Sequence, residues 1–123
     1  MNATVFGKRL KDLRQKTGRT LREFCLSNGF DPGNYSRMER GMFPPPQREE
    51  LLEKYATALG LVRGSEEWIE FFDLAAACRG EIPHDLLADH EVLEKLPVLF
   101  RTIRGRKSDG PDLDELVEKV RRT

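Results

Sequence analysis

Between Thr20 and Gly41 the chain is punctuated so closely that two short helices joined by a turn are almost the only structure that fits. Thr20 is a helix N-cap residue, and Glu23 three positions on completes a capping box, in which the two side chains satisfy each other's orphan amides. Gly29 can take the left-handed conformation that ends a helix, so this segment stops after about two turns. A turn at Phe30 follows. Asp31 then caps a second segment, Pro32 sits at its first position where no amide donor is lost, and Gly41 closes it. Phe24, Cys25 and Asn28 fall on or near the inner face of the first helix.

The rest of the sequence also has the period of helices. Val5, Phe6, Leu10 and Leu13 recur at helical spacing from Val5 to Lys16, predicting a helix that ends before Gly18. After a proline corner at Met42 to Pro46, Gln47 to Leu59 carries Leu51, Leu52, Tyr55, Ala56 and Leu59 in register and stops at Gly60. Ser65 caps a fifth helix, with Glu66 and Glu67 at its positive end. On it Trp68, Ile69, Phe72, Ala75 and Ala76 form one apolar stripe and Phe71, Leu74 and Cys78 a second, so it must be covered from more than one side. Ile82-Pro83 and Asp85 introduce an irregular or short helical stretch. A helix is expected from Asp89 to Arg104, interrupted or restarted at Pro97 and stopped at Gly105. Residues 106–110 read as a polar linker, and Pro111 opens a last amphipathic helix with Leu113, Leu116, Val117 and Val120. No segment alternates as a strand would.

Lysine plus arginine and aspartate plus glutamate each number 21, and this balance conceals an uneven distribution. Residues 1–43 hold nine basic and four acidic side chains, a net charge of +5, whereas residues 61–100 hold three basic and nine acidic ones, a net of −6. A basic amino-terminal part beside an acidic middle suits a protein with one face that meets phosphate and another that stays off it.

Other chemistry finds little footing. Cys25 and Cys78 are far apart in apolar surroundings, without the paired spacing of a zinc or redox motif, and are expected in the core. His84 and His90 lack the i to i+4 geometry of a metal pair. Ser65 and Ser108 read as cap and linker, without a nucleophile elbow, and no glycine-rich phosphate loop is present. Glu49-Glu50 and Glu66-Glu67 are solvated helix starts. The expectation is a non-enzyme without metal or cofactor. No run is long and apolar enough to span a bilayer, and Met1 to Lys11 lacks the apolar stretch of a signal peptide, so a cytoplasmic, nucleoid-associated location is expected.

Thr20, Leu21, Phe24, Cys25, Gly29, Tyr35, Met38, Glu39 and Gly41 stand where a known pattern has Thr-Gln-x-x-Leu-Ala, then glycine, an aliphatic residue and aliphatic-Glu-x-Gly. In these residues the chain resembles the Xre, or lambda-repressor and Cro-like, helix-turn-helix family of transcriptional regulators. The likeness extends to Phe6 to Lys16 and to Ala58-Leu59-Gly60-Leu61, covering about half the chain. It implies an all-α, five-helix lambda-repressor-like domain with a helical C-terminal extension, divided into a DNA-binding part over residues 1–63, a dimerisation or core extension over 64–105 and the 106–123 tail. Scaffold roles fall to Phe24, Cys25, Tyr35 and Met38, while Glu39 either accepts local hydrogen bonds or pairs with a base such as Arg14.

The same likeness implies that the opening of the third helix, and the residue a turn further on, meet base edges in the major groove of double-stranded DNA. Those places are Pro32, Gly33 and Arg37, with Asn34 and Ser36 beside them. Arg19, Thr20, Arg22 and Arg40 complete the DNA-facing set. The sequence departs from the pattern here, since Pro32 and Gly33 have no side-chain donors and Leu21 replaces the usual glutamine. Direct readout therefore leans on Arg37, which can fork onto a guanine, and on Asn34.

Family members usually dimerise to match two half-sites about one DNA turn apart. The candidate dimer surface is Trp68, Phe71, Phe72 and Leu74 with Leu99 and Phe100 from the stripe Leu96, Leu99, Phe100 and Ile103. The alternative is that both helices close an intramolecular core. The resemblance implies a homodimeric autorepressor on a palindromic operator. It is equally compatible with a HigA-like antitoxin that also binds a toxin protein, and an adaptor with a vestigial DNA face is the third reading.

Overall fold

The computed structural model describes residues 3–106, and these are helical without a strand. Seven helices follow in order: α1 (Ala3–Lys16), α2 (Leu21–Asn28), α3 (Pro32–Glu39), α4 (Glu49–Ala58), α5 (Glu66–Cys78), α6 (His84–Leu87) and α7 (His90–Arg106). The expected helix after Pro111 and the linker from 107 lie outside the described residues. The chain divides into two compact units, Met1–Ile82 and Pro83–Thr123. Helices α1 to α5 therefore form one body, and α6 and α7 contact each other in the second.

Capping residues set most of the boundaries. Thr20, Asp31 and Ser65 each have extended backbone and accept the amide hydrogen of the residue three positions on, from Glu23, Asn34 and Trp68. The Thr20 hydroxyl also donates to Glu23 Oε1 at 2.9 Å, a variant of the expected box in which the carboxylate meets the hydroxyl. At the far end of α3, Gly41 takes φ +75°. Its amide donates to the Met38 carbonyl and that of Met42 to the Arg37 carbonyl, which satisfies two carbonyls the helix leaves open.

In the first unit, α1 packs against α3 and α5, α3 against α2, and α4 against α5. Phe6, Leu10 and Leu13 from α1 meet Phe24, Cys25, Tyr35, Met38, Leu52, Tyr55 and Phe71 in a single core. The rings of Phe24, Phe30, Tyr35 and Tyr55 form its aromatic part, with Phe30 edge-on to Tyr55 at 4.8 Å and Phe24 tilted on Tyr35 at 5.2 Å. Phe6 of α1 reaches Phe71 of α5 at 5.3 Å.

Two contacts bring backbone against backbone. A Cβ added at Gly7 would lie 2.5 Å from the carbonyl oxygens of both Met38 and Glu39, and one at Gly41 would lie 2.6 Å from Thr4 Cγ2. Only glycine lets α1 and the end of α3 approach this closely. The proline corner is anchored as well. Pro45 is among the fully buried side chains, and Arg79 at the end of α5 donates to the Pro46 carbonyl at 2.8 Å.

Several details of the expected elements change. Helix α7 is continuous through Pro97 and passes Gly105 to Arg106, the last described residue. Pro97 is exposed, so the break it was expected to impose reduces to one amide withheld on the solvent side of a helix 17 residues long. The start of α7 is held by Asp89, whose Oδ1 accepts the amides of Glu91 and Val92 at 3.0 and 3.3 Å. Helix α4 begins at Glu49 rather than Gln47, because Arg48 takes the N-cap place without a side-chain hydrogen bond.

Candidate nucleic-acid interface

Helix α3 turns Tyr35 and Met38 into the core, and its spacing then leaves Gly33, Asn34, Arg37 and Arg40 in solvent. Arg19, Thr20 and Arg22, on α2 and the chain leading into it, are also exposed, while Pro32 and Ser36 are half-buried. The nine residues expected to face DNA thus lie on the two helices that pack together and on the approach to them. Arg37 Nη1 donates to Asn34 Oδ1 at 3.3 Å, so the two side chains credited with base reading are neighbours one turn apart. Arg40 Nε donates to the Ser36 carbonyl at 3.4 Å along the same helix. Thr20 is employed as the cap of α2, and its hydroxyl already accepts from the Glu23 amide.

Behind this surface stands a buried cation. Arg14 of α1 donates from Nε to Glu39 Oε2 at 2.7 Å and from Nη2 to Oε1 at 3.2 Å, with the two side chains only 9% and 5% exposed. Its third nitrogen, Nη1, donates to the Arg19 carbonyl at 3.1 Å. One guanidinium therefore fastens the end of α3 and the entry of α2 to α1. Of the two roles open to Glu39, pairing with Arg14 is the one found. The hydrogen bond to Glu39 raises the Arg14 guanidinium above its ordinary value, against the opposing effect of burial.

Arg14, Gly7 and Pro45 are the contributors that sequence reasoning passed over or saw only in part. A glycine inside a helical pattern was the available signal for Gly7, since it weakens the helix unless a close approach requires it. No local signal marks Pro45 as buried, because a run of three prolines ordinarily reads as a solvated corner.

The residues proposed for a dimer surface fall in both units. Phe71 is 1% exposed and belongs to the core of its own unit, and Trp68, Phe72 and Leu74 pack against that core half-buried. An inward Phe71 is explained by its contacts with Phe6 and Phe72, which give the second stripe of α5 its cover within the chain. Leu99 and Phe100 lie on α7 in the second unit, half-buried and exposed respectively.

Cys25 and Cys78 are both buried and unpaired, and burial pushes the Cys25 thiol up, away from reactivity. Among the described residues no group of three or more histidine, cysteine, aspartate or glutamate side chains is placed to hold a metal ion. His90 instead faces Glu94 at 3.2 Å along α7. No helix among the described residues is long and apolar enough to cross a membrane. Compared with known proteins, the chain matches no family model, no curated protein and no solved structure.

Proposed function

We propose that the chain is a sequence-specific DNA-binding regulator of the lambda-repressor-like helix-turn-helix type, working in the cytoplasm at the nucleoid as a homodimeric repressor on a palindromic operator. The observation that carries this reading is the division of labour on α3. Its inner residues are in the core, the buried Arg14–Glu39 pair fixes its end, and its outer side presents Asn34 and Arg37, with Arg40 at its C-cap, beside Arg22 of α2 and Arg19 of the chain leading into it. A short helix held rigidly from behind, with cations around its exposed side, suits insertion into the major groove between two phosphate rims.

In this reading Arg37 reads a guanine and Asn34 assists, while Arg19, Arg22 and Arg40 hold phosphates. Arg37→Ala is expected to cost roughly 1 to 3 kcal/mol and to relax preference at one base pair, whereas Arg22→Ala weakens all sequences alike and flattens the salt dependence. Sites selected from a random DNA pool, with their single-base variants, are the test by electrophoretic shift. An Arg37→Ala protein with unchanged affinity and preference would remove Arg37 as the reader. The absence of donors at Pro32 and Gly33 favours a second reading, in which the same fold binds a protein and the chain is an adaptor with a vestigial DNA face. Binding to DNA that does not vary with salt would select that reading.

A further inference from the structure

Helix α7 has an apolar stripe, and the described residues of its own unit leave it only half-buried. Among the described residues of the second unit none is buried, although α6 packs against α7. Val92, Leu96, Leu99 and Ile103 recur at spacings of four, three and four, the seam of a paired helix, and all four are half-buried. Leu93 and Phe100, adjacent to the seam, are 40% and 42% exposed. A stripe of this kind on a helix about 25 Å long calls for a cover.

The charges of α7 say which cover fits. Asp89 at the cap, Glu91 and Glu94 outnumber Lys95 in its first half, and Arg101 and Arg104 lie in its second half. Turned end for end and laid beside itself, the helix sets Val92 against Ile103 and Leu96 against Leu99. The same placement runs the acidic half along the basic half of the other copy, and opposes the two macrodipoles. Side-by-side parallel copies would instead join like charges and aligned dipoles. We propose that α7 pairs antiparallel with α7 of a second copy of this chain through the seam Val92, Leu96, Leu99 and Ile103. This gives the dimer of the proposed regulator its surface on α7 and leaves α5 to the core of the first unit. It rests on that reading only for the purpose of the dimer, since pairing is measured without DNA.

The test is to mix full-length Val92→Cys chains with full-length Ile103→Cys chains under mild oxidation, with the wild-type chain and each variant alone as references. Cys25 and Cys78 are buried, so the wild-type chain supplies the background of their cross-linking. Antiparallel pairing predicts a cross-linked dimer in the mixture and little from either variant alone, because the two copies of position 92 would stand roughly 16 Å apart. Cross-linking by Val92→Cys alone would show parallel pairing and overturn the proposal. Sedimentation of wild type and of a Leu96→Glu/Leu99→Glu variant gives the second readout, with a dimer and a folded monomer expected. A wild-type monomer, whether α7 is left bare or covered by residues 107–123 of its own chain, also overturns it. Specific DNA binding by such a monomer would sink the pairing and spare the function, and a cross-linked dimer indifferent to DNA would do the reverse.

Discussion

Gly7→Ala sets two opposed effects against each other at one atom. In an unobstructed helix interior the substitution stabilises by about 0.5 to 1 kcal/mol, because alanine loses less backbone freedom on folding. At Gly7 the new Cβ would lie 2.5 Å from two carbonyl oxygens, those of Met38 and Glu39. An ordinary carbon–oxygen contact is about 3.3 Å, so α1 and the end of α3 must part by roughly 0.8 Å. Both oxygens are backbone, and no side-chain rotation relieves them. Forced separation of a packed interface costs about 1 to 3 kcal/mol, and here it also pulls on the Arg14–Glu39 pair. At the middle of both ranges the clash therefore wins, with a net loss of about 1 kcal/mol. For a unit of this size that lowers the melting temperature by roughly 4 to 8 °C. The assay is urea unfolding followed by Trp68 fluorescence, which reports on the first unit because Trp68 packs against its core. Gly33→Ala is the control, since its Cβ would meet the tip of Arg37 at 3.4 Å and Asp31 Oδ2 at 3.8 Å, both side-chain atoms at ordinary contact, and no loss is expected there. A Gly7→Ala protein as stable as the wild type would refute the close approach of α1 and α3.

Other perturbations probe the same interior. Arg14→Ala leaves a buried carboxylate unpaired and should cost about 3 to 5 kcal/mol in urea unfolding, and Arg14→Met with Glu39→Met should recover more than half of it; no recovery in the double variant would mean the pair does more than satisfy itself. The Tyr35 hydroxyl is buried with no partner among the described residues, so Tyr35→Phe should be neutral or stabilising by up to about 1 kcal/mol, and a clear loss would place a partner on that hydroxyl. Burial raises the Tyr35, Tyr55 and Cys25 groups above their ordinary values of 10.0, 10.0 and 9.0. Their neutral forms are thus favoured in the fold. Stability is full below about pH 8, where neither state has lost these protons, and falls above it as the unfolded chain releases protons that the folded chain retains. Circular dichroism melts between pH 8 and 11 check this, with a smaller alkaline loss expected for Tyr35→Phe.

What could be read without coordinates was mainly local. Thr20, Asp31 and Ser65 cap helices because a short oxygen-bearing side chain in extended backbone does so wherever it precedes a helical run, and neighbours in sequence are enough to see it. The all-helical fold followed from the same periodicity. Phe71 could not be assigned that way, since a helix with two apolar stripes states how much cover it needs and not whether its own chain supplies it. Pro97 misled for a related reason. A proline forbids one hydrogen bond, but whether a helix absorbs that loss depends on which side faces water. At the candidate interface the exposed set on α2 and α3 was legible from the spacing of Tyr35 and Met38. The bond from Arg14 to the Arg19 carbonyl was not, because a backbone acceptor leaves no trace in residue identity.

The Arg14–Glu39 clasp also has a bearing on how such a surface changes over generations. Because α2 and α3 are fixed from inside, the outward residues Gly33, Asn34 and Arg37 have almost no duty to the fold. New letters can be set at those places without first stabilising the rest of the chain. A lineage carrying this clasp is free to revise its outward residues while inheriting the frame unchanged.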